Sequence, residues 1–408
     1  MHPGESSKRS VPPALGSGGC IDALPDGVLG HILGFLPAPE AVRTCVLARR
    51  WRHLWRTATR LRVGNCSEYD GTSVKEQREF VDHLLLLRGS SPLDICEFGI
   101  GESHELHSDD VSWVNLWFRH VVMCRARVLR LHVFCHMFLE LDDLPLVSQH
   151  LTKLYLCYVR VQNSFLNFSS CPALEHLELV DCDLNYVDKI ASKSLKHLSL
   201  TDCGFEQVFD QFCRIRIYTP SLVSLHLDSF ETTPIFDSMP SLVKAFVRIT
   251  EGCWDFCYKP DDLDCTCLLC DGSDSRGSSV LLKGLSQAQS LVLISAPNQI
   301  TFKSDLRWCP MFSNLKTLLL NDYWCTPDDF SALACILEYS PVLAKLTLEL
   351  FSEGPKYKVE MKGRYNLMER SAKISENLNI VEVKCQVVDE RVLEVLKFLC
   401  TFNISFTF

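Results

Sequence analysis

CPALEHLEL, residues 171–179, carries leucines at 174, 177 and 179. The alternation Leu177-Glu178-Leu179 is that of a short strand with every second side chain turned inward. The same triplet returns as Leu151-Leu154-Leu156, Leu195-Leu198-Leu200, Leu222-Leu225-Leu227, Leu315-Leu318-Leu320 and Leu343-Leu346-Leu348. Weaker copies are Ala126-Leu129-Leu131, Leu242-Ala245-Val247, Ala288-Leu291-Leu293 and Leu378-Val381-Val383. From Leu129 through Leu154, Leu177, Leu198, Leu225 and Ala245 the steps are 25, 23, 21, 27 and 20 residues. An amphipathic helix would need apolar residues at i, i+3, i+4 and i+7, and these triplets instead recur only after twenty-odd residues.

The period is that of leucine-rich repeats, ~20 to 29 residues. One such unit cannot cover its own apolar side, so the copies are expected to stack into a curved solenoid with a parallel sheet on the concave face. The fold class expected is therefore α/β, with the solenoid over residues 75–350. Proline precedes the strand in CPALEHLEL, TPSLVSLHL, MPSLVKAFV and SPVLAKLTL, where it can end the preceding helix and fix the approach. The step from Ala245 to Leu291 is 46 residues, which leaves room for an inserted loop over residues 251–280. The longer later steps predict helical return segments.

Residues that alternate with the inward leucines face outward along the concave sheet. Tyr155, His176, Glu178, His197, Ser199, His226, Thr317 and Lys345 are accordingly the candidate contacts for a protein substrate, since solenoids bind on that face. Ordinary solvated sheet residues are the alternative at each position.

Upstream, IDALPDGVLGHILGFLP spans residues 21–37. Pro25 suits the first turn of a helix and Pro37 stops one, which predicts a helix from Pro25 to Leu36. Val28, Leu29, Ile32, Leu33 and Leu36 would share one face. APEAVRTCVLARRWRHLWRT comes next, with Val42, Cys45, Val46, Leu47, Trp51, Leu54 and Trp55. Three small helices cannot hide this many large apolar side chains among themselves. The surplus implies a partner.

Leu24-Pro25-Asp26, the Ile32-Leu33 pair, Leu36-Pro37, Val46-Leu47, Arg49-Arg50-Trp51-Arg52 and Leu54-Trp55 together resemble the F-box, in the form common in plant proteins. Ala48 departs from that pattern, which usually has a serine able to cap the third helix. The resemblance implies a three-helix F-box over residues 20–62. It also implies docking onto the Skp-type adaptor of a cullin-RING ubiquitin ligase through Leu24, Pro25, Ile32, Leu33, Val46, Leu47 and Trp51. A helical hairpin packed on its own chain is the plainer alternative for the same stretch. After the repeats, residues 351–408 read as strand, strand, helix from Asp389 to Leu399, then strand. They resemble the FBD-like ends found after the repeats in plant F-box proteins, and a cap on the solenoid accounts for them equally well.

Charge and composition narrow the function further. The chain of 408 residues is 47% hydrophobic with a net charge of −9, which argues against a nucleic-acid or membrane-surface binder. Residues 1–19 are rich in Ser, Gly and Pro without an apolar core and are expected to be a disordered tail rather than a secretory signal. The 21 cysteines are scattered singly, as small buried hydrophobes are in a reducing compartment, so cytoplasm or nucleus is expected. Cys253, Cys257, Cys265, Cys267 and Cys270 could hold zinc, but only Cys267-x2-Cys270 has the usual gap. The stretch is read as an acidic cysteine-rich loop without metal. Nucleophile elbows, phosphate-binding loops and dinucleotide fingerprints are all missing from the sequence. The expectation is a substrate receptor that performs no chemistry and needs no cofactor, with an interaction scaffold acting without ubiquitin as the alternative.

Overall fold

The computed structural model of the chain describes residues 21–64, 74–101, 108–134, 138–204, 214–230, 232–250, 281–296, 302, 306, 309–325, 330–351 and 377–401. The expected tail 1–19 and the cysteine loop 251–280 lie outside the described residues.

The leucine triplets build one sheet. Twelve parallel strands run side by side in chain order, from Arg60–Val63 through Lys153–Cys157, His176–Val180, His197–Thr201 and Ser224–Asp228 to Lys345–Leu350 and Ile380–Cys385. The central residue of each copy pairs with the next: Leu129 with Leu154, then Leu177, Leu198, Leu225, Ala245, Leu291, Leu318, Leu346 and Val381. Leu154, Leu177, Leu198, Leu225, Leu291, Leu318 and Leu346 are buried. Because the side-chain period of a strand is two, this common register sends every second residue of every strand to the opposite, concave face. The strands Lys244–Ile249 and Ser290–Ser295 pair directly, as an inserted loop between them requires.

On the other side of the core the return segments differ along the chain. Helices Val74–Arg88 and Ser108–Met123 back the first strands, and Ser331–Glu338 backs a later one. Between them, short strands form two extra three-stranded parallel sheets: Leu139–Glu140, Val159–Gln162 and Asp183–Tyr186 in one, Lys189–Ala191, Arg216–Tyr218 and Ile235–Phe236 in the other. The shortest steps leave too little chain for a helix, so the return stays extended. Tyr158, Asp181, Asp202 and Ser229 come directly after four main strands, with φ of 61°, 47°, 50° and 50°. This left-handed step turns the chain off the sheet at each of these exits.

The sheet runs further than residues 75–350. Its first strand, Arg60–Val63, begins within the stretch read as the helical N-terminal unit, and pairs with Ile95–Ile100. Its last strand, Ile380–Cys385, belongs to the C-terminal segment. Helix Glu390–Cys400 comes after it, with Asp389 accepting from the Val392 N–H as N-cap. Val392, Val395 and Leu399 of that helix are buried. The helix packs back on the solenoid, with the Phe398 ring stacked on Phe330 at 4.5 Å.

Candidate functional site

The N-terminal unit is built from two short α-helices, Asp26–Leu33 and Ala38–Arg43, and a 3-10 helix, Arg49–Thr57. Pro25 stands outside the first helix as its N-cap, with ψ of 150°. The helix ends at Leu33 rather than Leu36, where Phe35 and Leu36 donate to the carbonyls of Ile32 and Leu33 in a tightened last turn. Ala48 is the extended N-cap of the 3-10 helix and supplies no side-chain bond. Arg50 pairs with Asp26 at 2.6 Å and holds the start of the third segment against the start of the first.

The five apolar residues expected on one face of the first helix do not share one environment: Leu36 is half-buried and the other four divide, with Phe35 joining the exposed side. Leu29 and Leu33, four residues apart, are buried with Trp51, Leu54 and Trp55. Val28, Ile32 and Phe35 are exposed on the other side, as are Val46 at 82% and Leu47 at 68% just before Ala48. Of the expected adaptor contacts, Pro25, Ile32, Val46 and Leu47 therefore lie at the surface and Leu24 is half-buried. Leu33 and Trp51 are corrected: at 1% and 6% exposure they fill the chain's own core and cannot be surface contacts as they stand. Burial of a helix's inner stripe accounts for both, since the pattern of apolar types does not itself say which stripe points inward.

This unit is joined firmly to the solenoid. Arg88, at the end of Val74–Arg88, is buried and donates from Nη1 to the Trp55 carbonyl and from Nη2 to the Ala58 carbonyl. Burial holds its pKa below the ordinary arginine value, with Cys96 and Cys124 acting the other way.

On the concave face the register gathers six of the eight candidate substrate contacts. Tyr155, Glu178, Ser199 and His226 form one row across neighbouring strands, and His176 and His197 sit side by side in the row two residues earlier. The two imidazoles stack at 4.2 Å with planes 12° apart, and His226 stacks on Phe246 at 4.5 Å. Thr317 and Lys345 pair with each other on later strands, and the Lys345 ammonium lies 3.0 Å from Glu382. Lys345 is thus already neutralised within the sheet.

Several concave residues were not singled out from the sequence. The Glu97 carboxylate sits between the guanidinium groups of Arg62 and Arg130, and Arg130 lies 4.6 Å over the Tyr155 ring. Burial raises the Glu97 pKa, but the hydrogen bonds and charges of Arg130 and Arg62 together hold it below the usual value. Asp228 accepts two bonds from Arg248, one at 2.6 Å. Lys244, Phe246 and Val292 continue the outward rows as far as Leu319, an outward residue of the Leu315-Leu318-Leu320 copy. The weak triplets around Ala245 and Leu291 carried the signal for the first three of these, one residue to either side of each centre. Among the described residues no cluster of His, Cys, Asp and Glu could hold a metal, and no helix is long and apolar enough to cross a membrane.

Residues 21–62 match the F-box domain. Over most of its length the chain is similar to proteins of Arabidopsis thaliana. An F-box/LRR-repeat protein is 26% identical over 373 residues, covering 81% of this chain and 68% of the relative. An F-box/FBD/LRR-repeat protein is 26% identical over 374 residues, covering 82% and 77%. An FBD-associated F-box protein is 24% identical over 402 residues, covering 90% and 83%. Residues 21–62 are thus an F-box domain, and the parallel sheet beyond it is a leucine-rich-repeat solenoid.

Proposed function

We propose that this chain is the substrate-receptor subunit of an SCF-type cullin-RING ubiquitin ligase in the cytoplasm or nucleus. The F-box docks on a Skp-type adaptor, and through it on a cullin, while the concave face of the repeats holds a target protein. The chain itself does no chemistry and carries no cofactor; its residues from 351 onward serve as an FBD-like end to the solenoid.

The observation that carries this reading is the pair of faces on the F-box. Leu29, Leu33, Trp51, Leu54 and Trp55 satisfy the domain's own core, yet Val28, Ile32, Phe35, Val46 and Leu47 remain in water. Isolated exposed apolar residues are common, but five within twenty residues of a matched docking domain mark an interaction surface. Holding a target beside a ligase raises the effective concentration of its lysines near the conjugating enzyme. The buried Arg88 contacts keep the two binding faces in a set relation, which that proximity needs.

Co-expression with a Skp-type adaptor tests the reading. The two chains are expected to co-purify in equal amounts. Recovery of this chain alone, folded and adaptor-free, would reject it in favour of a scaffold acting without ubiquitin.

A further inference from the structure

The concave face is divided by chemistry along the sheet. Lys153, His176, His197, Ser224 and Lys244 occupy one row, in register on successive strands. At ~4.8 Å per strand the row is about 19 Å long. Among the described residues, neither Lys153 nor Lys244 has an ion-pair partner, in contrast to Lys345 with Glu382 and Lys384 with Glu349. Just before the row, Lys196 and Glu175 cancel each other at 2.6 Å.

The acids of this region lie mainly elsewhere. Asp181 and Asp202 stand just past the strand ends, about 16 Å along the strand from the row and beyond the ~8 Å Debye length at physiological salt. Asp228 is taken up by Arg248. Glu178 is the exception, about 7 Å from the row. The row is therefore locally positive on a chain whose net charge is −9. From Lys244 onward the neighbouring row turns apolar, with Phe246, Val292 and Leu319 in register and all half-buried rather than covered.

We propose that the concave face takes an extended segment of the target protein, with carboxylate side chains along the Lys153–Lys244 row and apolar side chains over Phe246, Val292 and Leu319. This rests on the receptor reading above and names its substrate class. The uncancelled lysines choose the acidic part by charge complementarity, and the adjoining apolar row favours burial of the segment's apolar part. Acidification adds to the attraction by protonating His176. That ring faces Lys153 from one strand, His197 and Lys196 from the next, and Glu175 and Glu178 from its own. Burial, His197 and Lys153 hold its pKa below the ordinary value, so the gain is expected only below about pH 6.5.

The test selects a display library of random peptides of about twelve residues, long enough to cross both parts, on the full chain bound to its adaptor. Enrichment of peptides with Asp or Glu beside a Leu or Phe run is expected. The best of them should bind about tenfold tighter at low salt than its Asn/Gln isostere. The double variant K153E/K244E should lose that preference while retaining adaptor. Enriched peptides without acidic bias, an isostere that binds equally, or an undiminished double variant would overturn the proposal. So would a library that yields only phosphorylation-dependent binders after kinase treatment. Loss of adaptor from the wild-type chain would count against the ligase reading alone, because the selection can be read on the chain by itself.

Discussion

Arg88 donates from Nη1 to the carbonyl oxygen of Trp55 at 2.9 Å across the junction between the F-box and the solenoid. Its second nitrogen reaches the Ala58 carbonyl at 2.8 Å, so one guanidinium fork closes the end of the last F-box helix. Arg88→Met leaves both carbonyls short of a donor in a buried place. A loss on the order of 2 kcal/mol is expected, read as a lower urea midpoint. Arg88→Lys should recover little of it, because a single ammonium cannot reproduce the planar fork.

The two faces of the F-box give opposite mutational outcomes. Val46→Asp together with Leu47→Asp places charge on side chains already in water and should abolish adaptor recovery while the melting temperature stays put. Leu33→Asp buries an unpaired carboxylate in the apolar surroundings that Leu33 shares with Ala38, Trp55 and Leu61 and should prevent folding of the domain. Circular dichroism beside co-purification separates the two, and an adaptor-competent V46D/L47D variant would remove those residues from the interface.

Ala48 is extended, with φ of −160° and ψ of 164°, at the N-cap of Arg49–Thr57. A serine there has the backbone geometry to accept from an N–H in the first turn. Ala48→Ser should stabilise the chain by about 0.5–1 kcal/mol, seen as a raised thermal midpoint, and should leave adaptor binding unchanged.

Glu97 offers a pH test. Its carboxyl is held below the ordinary value by the arginines on either side. Stability from this charge is therefore fully present above about pH 4.5, the unfolded value, and disappears as pH falls through the lower folded value. Glu97→Gln should cost on the order of 1 kcal/mol at pH 7 after allowance for solvent screening. The difference from wild type should vanish at pH values well below that unfolded value in denaturant titrations; a constant difference at all pH values would mean the ion pairs contribute nothing.

Much of the fold was legible because a repeat is a local pattern seen many times. Even Leu378-Val381-Val383, a weak triplet, forms a strand in register with the rest. The extra sheets around Val159–Gln162 and Arg216–Tyr218 were not legible, since two to four extended residues have no periodicity of their own. The exposed apolar set of the F-box was legible as a surplus of apolar residues but not residue by residue. Leu33 and Trp51 belong to the F-box pattern as fully as Val46 and Leu47 do, and only packing sorts the inner from the outer set.

Spacing alone thus determined that the leucines stack and that alternate residues share a concave face, because strand geometry is a property of the backbone. Which cations on that face remain uncancelled was decided by tertiary structure. Lys345 and Lys153 are alike in sequence position, yet one meets Glu382 across the sheet and the other meets no acid among the described residues. Pairing between side chains thirty-seven positions apart, as 345 and 382 are, depends on where the chain returns, and the length of that return is not written in the repeat.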